Sequence, residues 1–143
     1  MNTLLPALSI ACIFLLQACS SSMQTRNISP YFNGVLKLNN EAVKDAKIML
    51  SVKADDPLCY HSIQNTQTDE QGQFSLTPAK VQQSYIPFLN FELDNWTICA
   101  KYKNQRYTLY SNNRYAGGSV SESHSLNCDL TAKPLNKLCT LSD

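Results

Sequence analysis

Trp96, Ile98, Ala100 and Tyr102 fall on alternate positions, with Thr97, Cys99 and Lys101 between them. Successive side chains of a strand point to opposite faces, so this spacing sends one apolar row into a core and the other row outward. Cys99 is placed on the outer row, where a disulfide would pin a loop or edge over that face. The same period of two runs through 35–38, through Ala46, Ile48, Leu50 and Val52, and through Phe74 and Leu76. It returns at Leu89, Phe91 and Leu93, at Tyr107 and Leu109, and in a last strand over 125–130. No stretch carries a helical period over a useful length. The spacing predicts an all-β body with Trp96 as its core anchor.

Turn chemistry separates the runs. Asn39-Asn40-Glu41 joins the first two strands, since Asn tolerates positive φ and bonds locally to the backbone. Residues 66–76 fit a hairpin around Gly72, with Asp69 satisfying nearby amides. Asp69 and Glu70 are adjacent, so a strand would point them apart, and the turn reading prevails over a catalytic carboxylate pair. Lys103-Asn104-Gln105 supplies a further turn. Residues 111–123, with Gly117-Gly118 and few apolar side chains, form the most loop-like part. Arg106, Tyr110, Arg114 and Tyr115 in and beside it are residue types that dominate binding hot spots, and they are the partner-binding candidates.

The N-terminus determines the compartment. From Leu4 to Leu16 the chain is almost wholly apolar, and no Lys, Arg, Asp or Glu precedes Arg26. A run of about 13 residues is short of the ~20 that span a bilayer, and small residues follow it, as at a processing site. Leu15-Leu16-Gln17-Ala18-Cys19 resembles the bacterial lipobox. That resemblance implies cleavage after Ala18 and acyl chains on Cys19, so that outer-membrane lipid is a partner through those chains. Several chains hold a protein on a membrane durably where one does not. Ser20, rather than Asp, follows the cysteine, which in such lipoproteins favours the outer membrane, periplasmic face. The expected organisation is a signal peptide over 1–18, an acylated N-terminus and polar tether over 19–29, and one β domain over 30–143.

Formal net charge is +1 without any block of like charge, which gives no electrostatic footing for nucleic acid. Of six cysteines, Cys12 leaves with the leader and Cys19 carries lipid. Cys59, Cys99, Cys128 and Cys139 remain, an even set that in an oxidising periplasm forms two disulfides with three possible connectivities. Joining Cys128 to Cys139 closes a short loop and leaves Cys59 for Cys99, the preferred arrangement. No C-x-x-C pair occurs and His61 and His124 lie in unrelated contexts, so neither a metal site nor a cofactor is expected.

Two segments resemble the carboxypeptidase-regulatory-like, or transthyretin-like, β-sandwich domains of bacterial envelopes. Gly34-Val35 with Val43-x-x-Ala46-x-Ile48-x-Leu50 looks like their opening hairpin, and Thr68-Asp69-x-x-Gly72-x-Phe74 like their turn. The run Ser125-Leu-Asn-Cys-Asp-Leu130 is similar to a branch with a second cysteine near its end, a place Cys139 fills. The resemblance implies a Greek-key β-sandwich in which these residues are structural.

No G-x-S-x-G, H-E-x-x-H or Gly-rich phosphate loop is present. His124 and Asp129 with one of many serines form a set any chain could offer, so catalysis is not expected. The expected function is a non-catalytic, outer-membrane-anchored lipoprotein that binds a protein or glycan partner or serves as an assembly component of the envelope. An immunity or inhibitor lipoprotein that neutralises a toxin or hydrolase is the alternative, and a secretion-system accessory a second one.

Overall fold

The computed structural model describes residues 23–84, 93–115, 119–132 and 138–142. Eleven strands and no helix occur among them: β1 (Met23–Asn27), β2 (Tyr31–Leu38), β3 (Glu41–Ala42), β4 (Lys47–Ser51), β5 (Gln64–Gln67), β6 (Gln73–Leu76), β7 (Lys80–Ser84), β8 (Leu93–Tyr102), β9 (Gln105–Tyr115), β10 (Ser123–Asp129) and β11 (Cys139–Ser142). They form three open sheets. One runs β11-β10-β2-β3, with β6 also paired to β2; the second runs β5-β4-β8-β9; and β1 with β7 makes a two-stranded ribbon.

The two larger sheets share one core. Phe32, Leu36, Phe74, Leu76 and Leu126 come from the first, Ile48, Leu50, Trp96, Ile98 and Leu109 from the second, all buried in a single cluster. The alternation around Trp96 is therefore realised, and Trp96 is 2 % exposed. Its indole Nε1 has no hydrogen-bond partner among the described residues, a cost set against the large apolar area the ring buries.

Two turns were legible while the strands they join were not. Asn39 and Asn40 take φ of 55° and 66°, as the Asn pair promised. Yet β2 turns back only into the two-residue β3, and β4 joins the other sheet. The expected pairing of β2 with the 46–52 run thus does not occur, because Asp45 at φ 57° and buried Val43 carry the chain across the core.

The Asp69 turn behaves likewise. The Asp69 carboxylate accepts the amides of Gln71 and Gln73 at 2.9 and 2.7 Å, and Gly72 lies at φ 73°. A Cβ on Gly72 would come within 2.4 Å of the Leu36 carbonyl oxygen. Only glycine fits there. The strands on either side are not a hairpin, however: β5 pairs with β4 and β6 with β2. Thr68 Oγ1 accepts the Ala46 amide at 2.9 Å on one side, and the Leu36 amide donates to the Gly72 carbonyl at 2.8 Å on the other. The motif is a corner that passes the chain between sheets.

At the N-terminus, part of the stretch expected as a tether over 19–29 is strand. Residues Met23–Asn27 pair with β7 in five registered positions, and Ser29 and Pro30 are buried. Arg26 donates to both carboxylate oxygens of Asp94 at 2.7 and 2.9 Å, and Ser29 Oγ accepts the Ala79 amide at 2.9 Å. Cys19 and the expected signal peptide over 1–18 lie outside the described residues, as do Leu89 and Phe91.

Both disulfides have the preferred pairing, Cys59–Cys99 and Cys128–Cys139. Cys128 and Cys139 are direct partners across β10 and β11. β10 itself lies parallel to β2, a pairing no local signal in the sequence specified.

Candidate functional site

Met49 breaks the polar side of β4. Its neighbours Ile48 and Leu50 face the main core, so Met49 faces outward, yet it is 2 % exposed. It is covered by the chain between β4 and β5. Met49, Cys59 and Cys99 form a second buried cluster, on the side of the β4-β8-β9 layer opposite Trp96. The disulfide thus pins the 52–62 loop over that outer face, as the phase of Cys99 against Trp96 implied.

The loop is shaped by Asp56, which is 5 % exposed. Its carboxylate accepts the Ser51 hydroxyl at 2.7 Å and the amides of Tyr60 and His61 at 2.8 and 2.9 Å. Burial alone would raise its pKa. The Ser51 hydroxyl, the two amides and nearby His61 outweigh burial and hold it below the usual carboxylate value. Asp55 and Cys59, at φ 58° and 50°, let the loop close around that carboxylate.

Arg106 clamps the loop from β9. Its Nη1 donates to the carbonyls of Leu58 at 3.0 Å and Cys59 at 3.3 Å, and its guanidinium lies 4.7 Å from the centre of the Tyr60 ring. Thr108 Oγ1 donates to the Pro57 carbonyl. Tyr60 is nevertheless 67 % exposed, and Ile63, where the loop rejoins β5, is 52 % exposed. The result is a rigid ridge that displays an aromatic ring on a guanidinium. Two hollows flank it. The larger, about 620 Å³, is polar and lined by Lys53, Asp55, Asn95, Thr97, Ser111 and Asn112. The smaller, about 440 Å³, is walled by Leu58, Tyr107 and Leu138 beside Arg106.

The four partner-binding candidates do not gather in one place. A bulge in β9 sets Ile98 opposite Tyr110 and Cys99 opposite Thr108, so Leu109 and Tyr110 both face the core side. Tyr110 packs there against Phe32 and His124, with ring centres 6.4 and 6.2 Å away. Arg106 sits on the opposite face of the same strand. Arg114 and Tyr115 close β9 opposite Asp94 and Leu93, and their side chains lie outside the described residues. Tyr60 and Ile63 were missed; the available signal was Met49, an apolar residue in the outward phase beside Cys99.

His124 and Asp129 are not brought together either. Both lie on β10, five residues and about 17 Å apart and on opposite faces. The Asp129 carboxylate accepts the Thr131 hydroxyl and amide at 2.6 and 2.8 Å, which hold its pKa low against burial. It caps a turn. Among the described residues no three His, Cys, Asp or Glu side chains cluster as metal ligands would.

The fold and this ridge define a disulfide-crosslinked, all-β domain with a braced loop on the outer face of one sheet. The chain belongs to the family described as a domain of unknown function, DUF6795, whose model matches residues 32–133. That span takes in β2 from its second residue through β10, and both halves of the Arg106 clamp. No curated protein matches the chain.

Proposed function

We propose that this protein is a non-catalytic, lipid-anchored module of the bacterial envelope that binds a protein partner through the 52–62 ridge. Cys19 carries the acyl chains, the compartment is the periplasmic face of the outer membrane, and the two larger sheets form a Greek-key sandwich of transthyretin-like type. The observation that carries the binding role is Tyr60, exposed yet held on Arg106 above a buried disulfide. Exposed aromatics normally lose rotamer freedom on binding. A ring already stacked and a loop already crosslinked forfeit little, so the ridge is organised before contact. Tyr and Arg are also the residue types most often found at the energetic centre of protein interfaces.

Replacing Tyr60 with a photo-crosslinking amino acid in the acylated protein, in its own cells, tests this. A discrete adduct is expected from position 60 and none from exposed Gln71 on the Asp69 corner, outside the ridge, with Arg106→Ala weakening the adduct. Identical adduct patterns from both positions, or none from position 60, would refute the assignment.

A further inference from the structure

We infer that the end of the molecule bearing the β1-β7 ribbon rests against the lipid headgroups, so that the anchored body is held in one orientation rather than swung on a flexible tether. This rests on acylation of Cys19, the anchoring part of the function proposed above.

Strand β1 begins at Met23, and only Ser20, Ser21 and Ser22 separate it from Cys19. At ~3.3–3.6 Å per residue the extended chain from Cys19 to Met23 spans at most about 14 Å. The body it holds is larger: β8 alone, with its ten residues, is about 30 Å long. A free linker would need to exceed the body's length to let every face visit the bilayer.

Nothing in β1 lengthens the leash, because the strand is fastened along its course. It makes five pairs with β7, and the Arg26 and Asp94 side chains, 14 % and 7 % exposed, form a two-bond ion pair. The Asn27 amide donates to Ser119 Oγ at 3.0 Å, Asn27 Nδ2 donates to the Val120 carbonyl at 3.1 Å, and the Ile28 amide donates to that of Ala79 at 2.8 Å.

The ribbon also fixes which end faces lipid. Arg26 meets β8 next to its first residue, and β1 leads into the start of β2 at Tyr31. The Lys103-Asn104 turn ends β8 at the other extreme, and the Asp69 corner lies with it, since Lys47 pairs both Lys101 and Gln67. The free end of the ribbon pairs Met23 with Ser84, and Met23 is 67 % exposed, an apolar side chain suited to the headgroup boundary. Net charge is +1 without a block of like charge in the sequence, and Lys47, Lys101 and Arg106, neighbours across β4, β8 and β9, lie toward the end of β8 opposite the one Arg26 meets.

The test uses the acylated, purified protein in vesicles of phosphatidylethanolamine and phosphatidylglycerol carrying a headgroup quencher. A fluorescent amino acid is placed singly at Gln24, Gln71 or Lys103. Quenching at Gln24 is expected to exceed that at Gln71 and Lys103 at least threefold. Inserting about twenty Gly/Ser residues between Ser22 and Met23, which leaves the folded part untouched, should bring the three positions within a factor of about 1.5. Equal quenching without the insertion, in protein shown by mass spectrometry to be acylated, overturns the orientation while leaving the anchor standing. An unmodified Cys19 overturns both.

Discussion

Asp56 is the residue on which the ridge closes, and its titration should be visible in stability. Its carboxylate is buried, yet Ser51 and the amides of Tyr60 and His61 favour its charged form enough to lower the pKa below the ordinary value. A depressed folded-state pKa stabilises the fold fully above the unfolded carboxylate value of ~3.9, and that contribution disappears as pH falls through the folded value. The melting temperature of the wild type should therefore drop steeply below about pH 4. Asp56→Asn should melt lower at neutral pH but show a shallower acid limb, the remaining slope coming from carboxylates such as Asp129, also held low by Thr131. Parallel acid limbs in wild type and variant would contradict this. Taken locally, Asp55-Asp56-Pro57 is no more than a stretch that breaks the preceding strand. A buried carboxylate with three donors is a product of the loop's path, and that path depends on a sulfur partner forty residues away.

At the scale of elements, the two disulfides do different work. Cys128–Cys139 joins strands already paired, with a sequence separation of 11, whereas Cys59–Cys99 fastens a loop to a sheet across a separation of 40. Closing the longer loop removes more entropy from the unfolded chain, so its loss should cost about 1 kcal/mol more. We expect Cys59→Ala/Cys99→Ala to lose about 2–4 kcal/mol in urea unfolding. Amides of 52–62 should lose hydrogen-exchange protection while those of β2 and β10 keep theirs. Loss of protection spread evenly over both sheets would show that the bridge supports the core instead of the ridge. Turns at this scale were readable because their chemistry is local: Asn39-Asn40, Gly72 and Lys103-Asn104 all take positive φ, and the Asp69 carboxylate accepts the amides of its own turn. The destination of each strand was not. Period two states which face is buried and is silent on which neighbour it pairs with, so the Gly72 turn is a crossing between sheets and the Asn39-Asn40 hairpin pairs only two residues before the chain crosses.

For the whole molecule, a single apolar cluster drawn from both larger sheets implies a single cooperative unit. Trp96, the only tryptophan, reports on that cluster directly. Its fluorescence and the far-ultraviolet circular dichroism should trace the same urea transition, and separated midpoints would mean that the sheets unfold independently. Local pattern was enough for the strand class of the chain, the buried row of β8, the glycine at the corner and a disulfide set in which the outward phase of Cys99 had a meaning. These follow from side-chain alternation and backbone sterics, which act over a few residues. The folded arrangement alone reveals the parallel union of β10 with β2, the bulge that turns Tyr110 inward, and the strand Met23–Asn27 where a tether was expected. It also placed Tyr60 on Arg106. Those depend on contacts between residues tens of positions apart, where the energy lies in shared burial that no local pattern records.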